Sequence, residues 1–355
     1  MGKGKVNRAV NILRGRYRPP HARPVDIGSM EVIEGFSPGH LLKAVDDAPF
    51  GTLSWPRSAP AKALELPPEE LVLIVERGGH VRLWPVLLLR RYHVVNDTAG
   101  GVPIVVTFCP RCYSGVAFDP VVDGSPLTFE VYGLYQGSMV MNDTQTGTIW
   151  TPLDGKAVAG PLVRRELRFE PFQMMPLGAA LERFPEASTP AAAIPAKPDA
   201  RDPGRARQDG RLKWMVRSWD DRLPPRTLVL GVEAGGTTRA YPLDLSRPGP
   251  RLAQAELDGT PIVLMGVPGG WPLAFDRRLD GRVLEFDLRP DPTTGERIVD
   301  TEGSTWQAGR AVDGPSVGRT LGFVPSHVVE WYMWATYHPE TCIGRLGTEP
   351  RTSFN

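Results

Sequence analysis

The chain has 355 residues, a formal net charge of +1 and a hydrophobic content of 41%. This length exceeds one ordinary core and fits two domains of about 100–150 residues with additional segments. The near-neutral charge argues against a protein-wide attraction to nucleic acid or to a membrane surface. No window approaches the roughly 18 consecutive apolar residues that a membrane-spanning helix needs.

The N-terminal stretch is a local exception, because Met1 to Pro24 holds seven Lys or Arg residues and no acidic residue. No apolar run follows these residues, so we expect that they do not act as an export signal. The cysteines, Cys109, Cys112 and Cys342, are too few for a disulfide framework. We therefore expect a cytoplasmic protein that binds neither nucleic acid nor membrane.

After the basic arm, the sequence SPGHLLKAVDDAPFG has the pattern of a helix start. Ser37 is a candidate N-cap and Pro38 would occupy the first helical position. Leu41, Leu42 and Val45 supply apolar positions beyond it. The pattern predicts one short helix before the main body of the chain.

Three sequence blocks then occur twice in the same order, which indicates an internal duplication. In the first block, two apolar runs flank a Gly-Gly pair in both copies, which is typical of a β-hairpin. The cysteines of the second block have no counterpart in the second copy. The paired blocks are LVLIVERGGHVRLWP with LVLGVEAGGTTRAYP, GGVPIVVTFCPRCYSGVAFD with DGTPIVLMGVPGGWPLAFD, and DTQTGTIWTPLDGKAVAGPLVRRELRFEP with DTEGSTWQAGRAVDGPSVGRTLGFVP.

These patterns predict a mainly β fold with a few short helices, in which two tandem pseudo-repeats form barrel-like or sandwich-like units. A stretch rich in Ala, Pro, Arg and Asp separates the copies and is typical of a linker. The predicted organisation is an arm with an N-terminal helix or extension (1–65), a first repeat with the cysteine loop (66–186), a linker or surface excursion (187–226), and a second repeat with an aromatic C-terminal helix (227–355).

Several motifs in this order resemble a prokaryotic family catalogued as domain of unknown function 3179. They are RLWPVLLLRRYHVVNDTAGGVPIVVTFCPRCYSGVAFD, GLYQGSMVMNDTQTGTIW, GKAVAGPL, DDRLPP, STWQAGRAVDGP and EWYMWATYHPET. The resemblance implies equivalent roles for His93, for Cys109 and Cys112 in a Cys-Pro-x-Cys loop, and for Met141. Arg111 and Tyr113 depart from the residues usual at their positions in this family.

Two thiols separated by two residues can bind a metal, cycle through a disulfide or present one nucleophilic thiolate. For a metal, Cys109, Cys112 and His93 form a soft donor set to which Met141 or Met139 could add a weak axial ligand. Sulfur and imidazole donors favour copper. Zinc is the runner-up metal. A closed zinc site ranks below copper because no histidine pair has zinc-finger spacing.

Without a metal, His93 would deprotonate Cys109 or Cys112 for attack on a substrate or a disulfide. A thioredoxin-like arrangement is disfavoured, because YSGVAFD after the pair indicates a strand rather than a helix. The helix dipole that lowers the pKa of such cysteines would then be missing.

Other polar and aromatic residues recur in both copies or lie in the second copy alone. The recurring Asp, Thr and Trp residues and the paired Arg82 and Arg239 indicate turn capping and buried contacts rather than catalysis. His327 is a candidate further ligand from the second copy. The recurring set is Asp143, Thr144, Thr146 and Trp150 with Asp300, Thr301, Thr305 and Trp306, and the aromatic helix holds Trp331, Tyr332, Trp334 and Tyr337.

The sequence thus favours a metal-dependent enzyme that acts on a small-molecule substrate, with copper as the preferred metal and oxidoreductase as the candidate class. Two alternatives stay open: a metal-free cysteine-thiolate enzyme or thiol-disulfide redox protein, and a non-enzymatic metal-binding or ligand-binding module.

Overall fold

The computed structural model describes residues 22–44, 51–194, 212–213, 215–244, 251–267, 269–293 and 295–345. Most of the basic arm, with His21, lies outside these ranges, and so does the middle of the predicted linker. Among the described residues, no helix is both long and apolar enough to cross a membrane.

The described chain consists mainly of short β-strands. Those before the first hairpin are β1 (Ala22–Pro24), β2 (Leu41–Ala44), β3 (Gly51–Ser54) and β4 (Ser58–Pro60). The elements that follow, here called the first unit, are β5 (Leu71–Arg77), β6 (His80–Pro85), helix α1 (Val86–Arg91), β7 (Tyr92–Ala99), β8 (Val102–Cys109), β9 (Ser114–Asp119), β10 (Val121–Val122), β11 (Ser125–Pro126), β12 (Phe129–Tyr135), β13 (Ser138–Asp143), β14 (Ile149–Trp150), β15 (Ala157–Ala159), β16 (Arg168–Phe169), β17 (Gln173–Pro176), helix α2 (Leu177–Arg183) and β18 (Ser188–Pro190).

The remaining elements form the second unit. They are β19 (Leu228–Ala234), β20 (Thr237–Pro242), β21 (Arg251–Leu257), β22 (Thr260–Gly266), β23 (Leu273–Asp276), β24 (Arg278–Leu279), β25 (Arg282–Val283), β26 (Phe286–Asp291), β27 (Gly295–Asp300), β28 (Thr305–Gln307), β29 (Arg310–Asp313), β30 (Gly322–Val324), β31 (Ser326–Glu330), helix α3 (Trp331–Tyr337) and β32 (Cys342–Ile343).

Each sheet of the first unit has a counterpart with the same strand order in the second unit. The order β17-β5-β6-β18 corresponds to β31-β19-β20-β32, and β16-β9-β8-β7 corresponds to β30-β23-β22-β21. Likewise β12-β13-β14-β15 corresponds to β26-β27-β28-β29, and β10-β11 to β24-β25. Strands β1 to β4 extend only the sheets of the first unit.

The predicted Gly-Gly hairpins are present in both units. Gly78 and Gly79 have φ of +58° and +78°, and Gly235 and Gly236 have φ of +59° and +79°. Positive φ at both central residues matches the right-handed twist of the flanking strands, and glycine adopts it without strain. The mainly β class is therefore confirmed, although no sheet among the described residues closes into a barrel.

The helix predicted after Ser37 is wrong in length and in extent. Only Pro38–His40 form a helical turn, of the 3-10 type, and Ser37 makes no side-chain cap. Leu41 and Leu42 belong to β2, which pairs with Tyr135 and Leu134 of β12. Pairing with a distant strand thus overrides the local helical pattern, while Val45 lies outside the described residues.

The two units pack around one shared hydrophobic core. Its fully buried members include Trp84 and Phe118 of the first unit and Trp306 and Trp331 of the second. The predicted linker takes part in this packing at both described ends, since β18 pairs with β6 and β4, and Leu212 is completely buried. The cysteine loop lies where the two units meet.

Candidate functional site

The cysteine loop is the turn of the hairpin formed by β8 and β9. Cys109 is the last residue of β8 and pairs with Ser114, the first residue of β9. Tyr113 has φ of +56°, an uncommon conformation for a bulky residue. Its ring lies against Phe108 and Trp271, at centroid distances of 5.6 and 5.7 Å. These ring contacts stabilise the turn that returns the chain to β9.

Both thiols of the loop are buried beside serine hydroxyls. Cys109 is 2% exposed and Cys112 is fully buried. The Cys112 sulfur lies 3.2 Å from the Ser114 hydroxyl and 3.8 Å from the Ser138 hydroxyl. The Ser138 hydroxyl also donates to the Cys109 sulfur at 3.9 Å. Ser138 therefore contacts both sulfurs from β13.

The surroundings make the two thiols chemically different. A hydrogen bond from the Cys112 thiol lowers the pKa of Cys109 to about 6, and main-chain N–H groups of Met139 and Cys112 and the charge of Arg111 act in the same direction against burial. Burial raises the pKa of Cys112 well above its ordinary value, and the hydrogen bond and charge of Cys109 add to this effect. Cys109 therefore ionises more readily than Cys112, which retains its proton to higher pH.

Residues of the second unit hold the loop through its main chain. The N–H of Glu330 donates to the Cys112 carbonyl at 2.9 Å. The Arg226 guanidinium and the Tyr332 hydroxyl donate to the Arg111 carbonyl at 3.0 and 3.2 Å. Arg226 also forms an ion pair with Glu330, whose side chain is completely buried. The loop is thus fixed between the units.

The end of the predicted linker also reaches this loop. The guanidinium of Arg111 donates to the sulfur of Met215 at 3.5 Å. Met215 is 6% exposed and lies beside Gly137, the residue before Ser138, where an added Cβ would come within 3.4 Å of the Met215 Cβ. This part of the chain therefore covers the site.

His93 lies in β7, next to the strand that ends at Cys109, but it is not opposite Cys109 in the pairing of the two strands. The hairpin of β7 and β8 forms as predicted, and its pairing begins with Val94 opposite Thr107. Extending this register by one residue places His93 opposite Phe108 rather than Cys109. His93 is also the extra residue of a bulge, since Gly51 pairs with Tyr92 and Thr52 with Val94.

The predicted methionine and second histidine lie in different sheets. Met141 is completely buried in β13, where it pairs with Trp150 and Val131. His327 is 2% exposed in β31, with its ring stacked on Phe169. Burial lowers the pKa of His327 to about 3, and its Nε2 has no hydrogen-bond partner among the described residues.

These residues do not assemble a metal site of three ionisable ligands. Within the described ranges, no group of three or more His, Cys, Asp or Glu side chains is placed to hold one metal ion. The sulfurs of Cys109 and Cys112 are adjacent donors. Neither His93 nor His327 is placed with them to complete a group of three ligands. The copper site, with zinc as runner-up, stays a prediction.

The residues shared by the two copies form scaffolding contacts, as the sequence indicates. Asp143 and Asp300 each accept a hydrogen bond from a buried indole N–H, of Trp150 at 2.9 Å and of Trp306 at 2.8 Å. Each also accepts a main-chain N–H of its own turn. Arg82 forms a buried ion pair with Asp97 at 2.8 Å. The two Asp–Trp contacts hold equivalent turns in both units. Arg239, the counterpart of Arg82, is only partly buried, and its predicted buried contact stays a prediction.

Sequence reasoning missed the polar residues that surround the thiols. Ser114 and Ser138 lie inside motifs that the sequence already marks, two residues after Cys112 and three before Met141. Arg226 follows DDRLPP directly, and Glu330 begins EWYMWATYHPET. Their positions in these motifs were the available signal, but the contacts depend on how the units pack.

The fold and the site define a mainly β protein with a buried dithiol in a hairpin loop between two similar units. A family model described as a protein of unknown function, DUF3179, matches residues 44–341. The match covers most of the chain, and the protein belongs to this family. Comparisons with curated proteins and with solved structures find no match.

Proposed function

We propose that Cys109 and Cys112 form a dithiol redox centre that exchanges with the disulfide of a small molecule. The observation that carries the proposal is the pair of buried thiols in one hairpin loop, 3.8 and 3.9 Å from the shared hydroxyl of Ser138. The Cys112 thiol lowers the pKa of Cys109, whereas burial raises the pKa of Cys112, so the two thiols differ in how readily they ionise. Such asymmetry suits thiol-disulfide exchange, in which one thiolate attacks and a second thiol resolves the mixed disulfide.

The disulfide substrate accepts the two electrons that the protein dithiol loses. The Cys109 thiolate attacks one sulfur of R–S–S–R′, the S–S bond breaks, and R′S⁻ leaves and takes up a proton. Cys112 then loses its proton, and its thiolate attacks Cys109 Sγ and displaces RS⁻, which is also protonated. Two electrons pass from the protein dithiol to the substrate, which ends as two thiols while the protein holds a Cys109–Cys112 disulfide.

Burial of the thiols supports a small substrate rather than a polypeptide. Both cysteines are buried: Cys109 is 2% exposed and Cys112 is 0% exposed. Pro110, Arg111 and Tyr113 of the same loop are partly exposed, so the loop itself reaches the surface. A compact disulfide needs only a local opening of this loop, and a reducing cytoplasmic setting would return the pair to its dithiol form.

The test uses the full chain with Cys342→Ser, since Cys342 is an exposed thiol that would react on its own. The reduced protein is incubated with glutathione disulfide and analysed by intact mass and peptide mapping. We expect a Cys109–Cys112 disulfide without retained glutathione. Cys112→Ala should stop at glutathione bound to Cys109, whereas Cys109→Ala should leave Cys112 unmodified. An unmodified pair under conditions that modify Cys342 in the unsubstituted chain would contradict the proposal.

A copper-binding role is the second candidate, because two adjacent buried sulfurs are donors that a soft monovalent ion prefers. The test is the metal content of freshly purified and copper-reconstituted protein, measured by mass spectrometry. Stoichiometric copper that is lost in Cys109→Ala and Cys112→Ala but kept in His93→Ala would support coordination by the thiols alone. Absence of copper after reconstitution would contradict this second candidate.

A further inference from the structure

Donors from the second unit converge on two carbonyl groups of the cysteine loop. Arg226 and Tyr332 both donate to the Arg111 carbonyl, and the N–H of Glu330 donates to the Cys112 carbonyl. Carbonyls in a hairpin turn are usually satisfied by solvent. Here the Arg111 carbonyl is bound by Arg226, the ion-pair partner of the buried Glu330 side chain, and by Tyr332, which is 1% exposed. The Cys112 carbonyl is bound by the N–H of Glu330.

The Arg111 carbonyl and the Cys112 N–H belong to the same planar peptide unit. In a trans peptide the C=O and N–H bonds point in opposite directions, so fixing one fixes the other. The carbonyl is directed to Arg226 and Tyr332. The N–H of Cys112 acts to lower the pKa of the Cys109 thiol. Hydrogen bonds at the carbonyl also polarise the N–H of the same unit.

We infer that Arg226, Tyr332 and Glu330 are positioning residues that orient the Arg111–Cys112 peptide so that its N–H stabilises the Cys109 thiolate. The inference rests on the proposed dithiol function and deepens it, because it assigns the second unit a part in setting the reactivity of a thiol that it does not contain. The second unit holds the loop at the two carbonyls next to Cys112, and its own matching loop has no cysteine.

Arg226 is suited to this part because its guanidinium reaches two acceptors at once. It contacts the Arg111 carbonyl and the Glu330 carboxylate, and Glu330 contributes its own N–H to the Cys112 carbonyl. Both contacts are made by Nη1, and a lysine would keep the charge opposite Glu330 but replace the planar guanidinium with a compact ammonium at a different position. The Tyr332 ring packs against the guanidinium of Arg226, at 5.6 Å from the ring centroid.

The experiment compares Tyr332→Phe with Tyr337→Phe in the full chain carrying Cys342→Ser. Both remove one hydroxyl from α3, but the Tyr337 hydroxyl donates to the Tyr135 carbonyl and not to the loop. The rate of Cys109 alkylation by iodoacetamide is followed against pH by peptide mass spectrometry. We expect the midpoint in Tyr332→Phe to rise by about 0.5–1 pH unit, as for loss of part of a thiolate's hydrogen-bond donation. Tyr337→Phe should keep the midpoint of the Cys342→Ser protein.

The outcomes separate this inference from the proposed function. A low midpoint in the Cys342→Ser protein that Tyr332→Phe leaves unchanged, or that both tyrosine variants shift equally, would overturn the inference and leave the dithiol centre standing. A midpoint at the ordinary thiol value in the Cys342→Ser protein itself would overturn both. Arg226→Lys should shift the midpoint upward as Tyr332→Phe does, and it provides the comparison if Tyr332→Phe does not fold.

Discussion

A 2.9 Å hydrogen bond joins the N–H of Glu330 to the carbonyl of Cys112, although the two residues belong to different units. Glu330 is the last residue of β31 and leads directly into α3. The strand that pairs with β19 in the second unit thus also fixes the cysteine loop of the first. Thiol reactivity and packing between the units should therefore be linked, and each can be measured separately.

Replacing Cys112 with alanine should raise the pKa of Cys109. The Cys112 thiol is the largest influence that holds this pKa down at about 6, while burial opposes it. Removing the thiol leaves the N–H groups of Met139 and Cys112 as donors, so part of the effect should persist. The measurement is thiolate absorbance at about 240 nm, as expected for a thiolate chromophore, followed against pH in protein carrying Cys342→Ser.

The comparison for this prediction is Cys109→Ala, in which only Cys112 can ionise. Its thiolate should appear at higher pH than that of Cys109 in the unsubstituted pair, because burial raises the pKa of Cys112. If Cys112 ionised first, the proposed order of attack and resolution would be reversed.

Replacing Ser114 with alanine should slow the resolving step. The Ser114 hydroxyl, 3.2 Å from the Cys112 sulfur, acts to lower the pKa of that thiol. Without the hydroxyl, less Cys112 thiolate is present at a given pH, so the mixed disulfide on Cys109 should persist longer. Its lifetime is measured by quenching the reaction with glutathione disulfide at increasing times and analysing the intact mass.

The matched control is Ser326→Ala, which removes a buried serine hydroxyl that accepts the N–H of Ala274 in the second unit. It should leave the lifetime of the mixed disulfide unchanged. Equal lifetimes in Ser114→Ala and Ser326→Ala would show that the hydroxyl beside Cys112 does not assist resolution.

The predictions from sequence succeeded where the structure depends on neighbouring residues. Gly78 and Gly79 identify a hairpin because glycine is suited to two successive residues with positive φ. Cys109 and Cys112 identify the loop as a candidate site because only two residues separate them, so their proximity does not depend on distant parts of the chain. The failed helix after Ser37 shows the limit, since Leu42 pairs with Leu134, which lies far along the chain.

The contacts of the candidate site depend on such distant pairing to a greater degree. The proximity of Ser138 to both sulfurs, and of Tyr332 to Arg111, follows from the packing of sheets and units. Residue types alone made His93 and His327 attractive ligands, but they gave no information on register or on which side chains meet. The sequence could therefore locate the loop but not its surroundings.

Asp143→Asn and Asp300→Asn should destabilise the protein to a similar extent. Each carboxylate accepts a buried indole N–H and a turn N–H, and an amide can replace only part of this acceptance. Leaving a buried donor unsatisfied costs about 1–3 kcal/mol in unfolding free energy. Urea unfolding followed by tryptophan fluorescence gives this quantity, and the alkylation midpoint of Cys109 should stay unchanged in both variants. A change in that midpoint for Asp143→Asn alone would place Asp143 in the functional site.

His327 should make the fold sensitive to acid. Burial lowers its pKa from 6.5 to about 3, so between these values the unfolded chain binds a proton that the folded protein does not. Stability therefore falls as the pH decreases from about 6.5 toward 3, by about 2 kcal/mol at pH 5 for this residue alone. His338, whose pKa is lowered to about 4, also by burial, contributes in the same direction.

The variant His327→Phe tests this sign, because it keeps a ring between Phe169 and Trp334 and removes a nitrogen to which the described part of the chain offers no hydrogen bond. Unfolding free energies from urea titrations at pH 5 and pH 8 should differ less in the variant than in the unsubstituted protein, with the remainder due to His338 and the carboxylates. The values at pH 8 report packing alone, since the histidine is neutral there in both states. An unchanged difference between the two pH values would mean that His327 gains a proton in the folded protein as readily as in the unfolded chain. That result would contradict its burial among Phe169 and Trp334 at the junction of the two units.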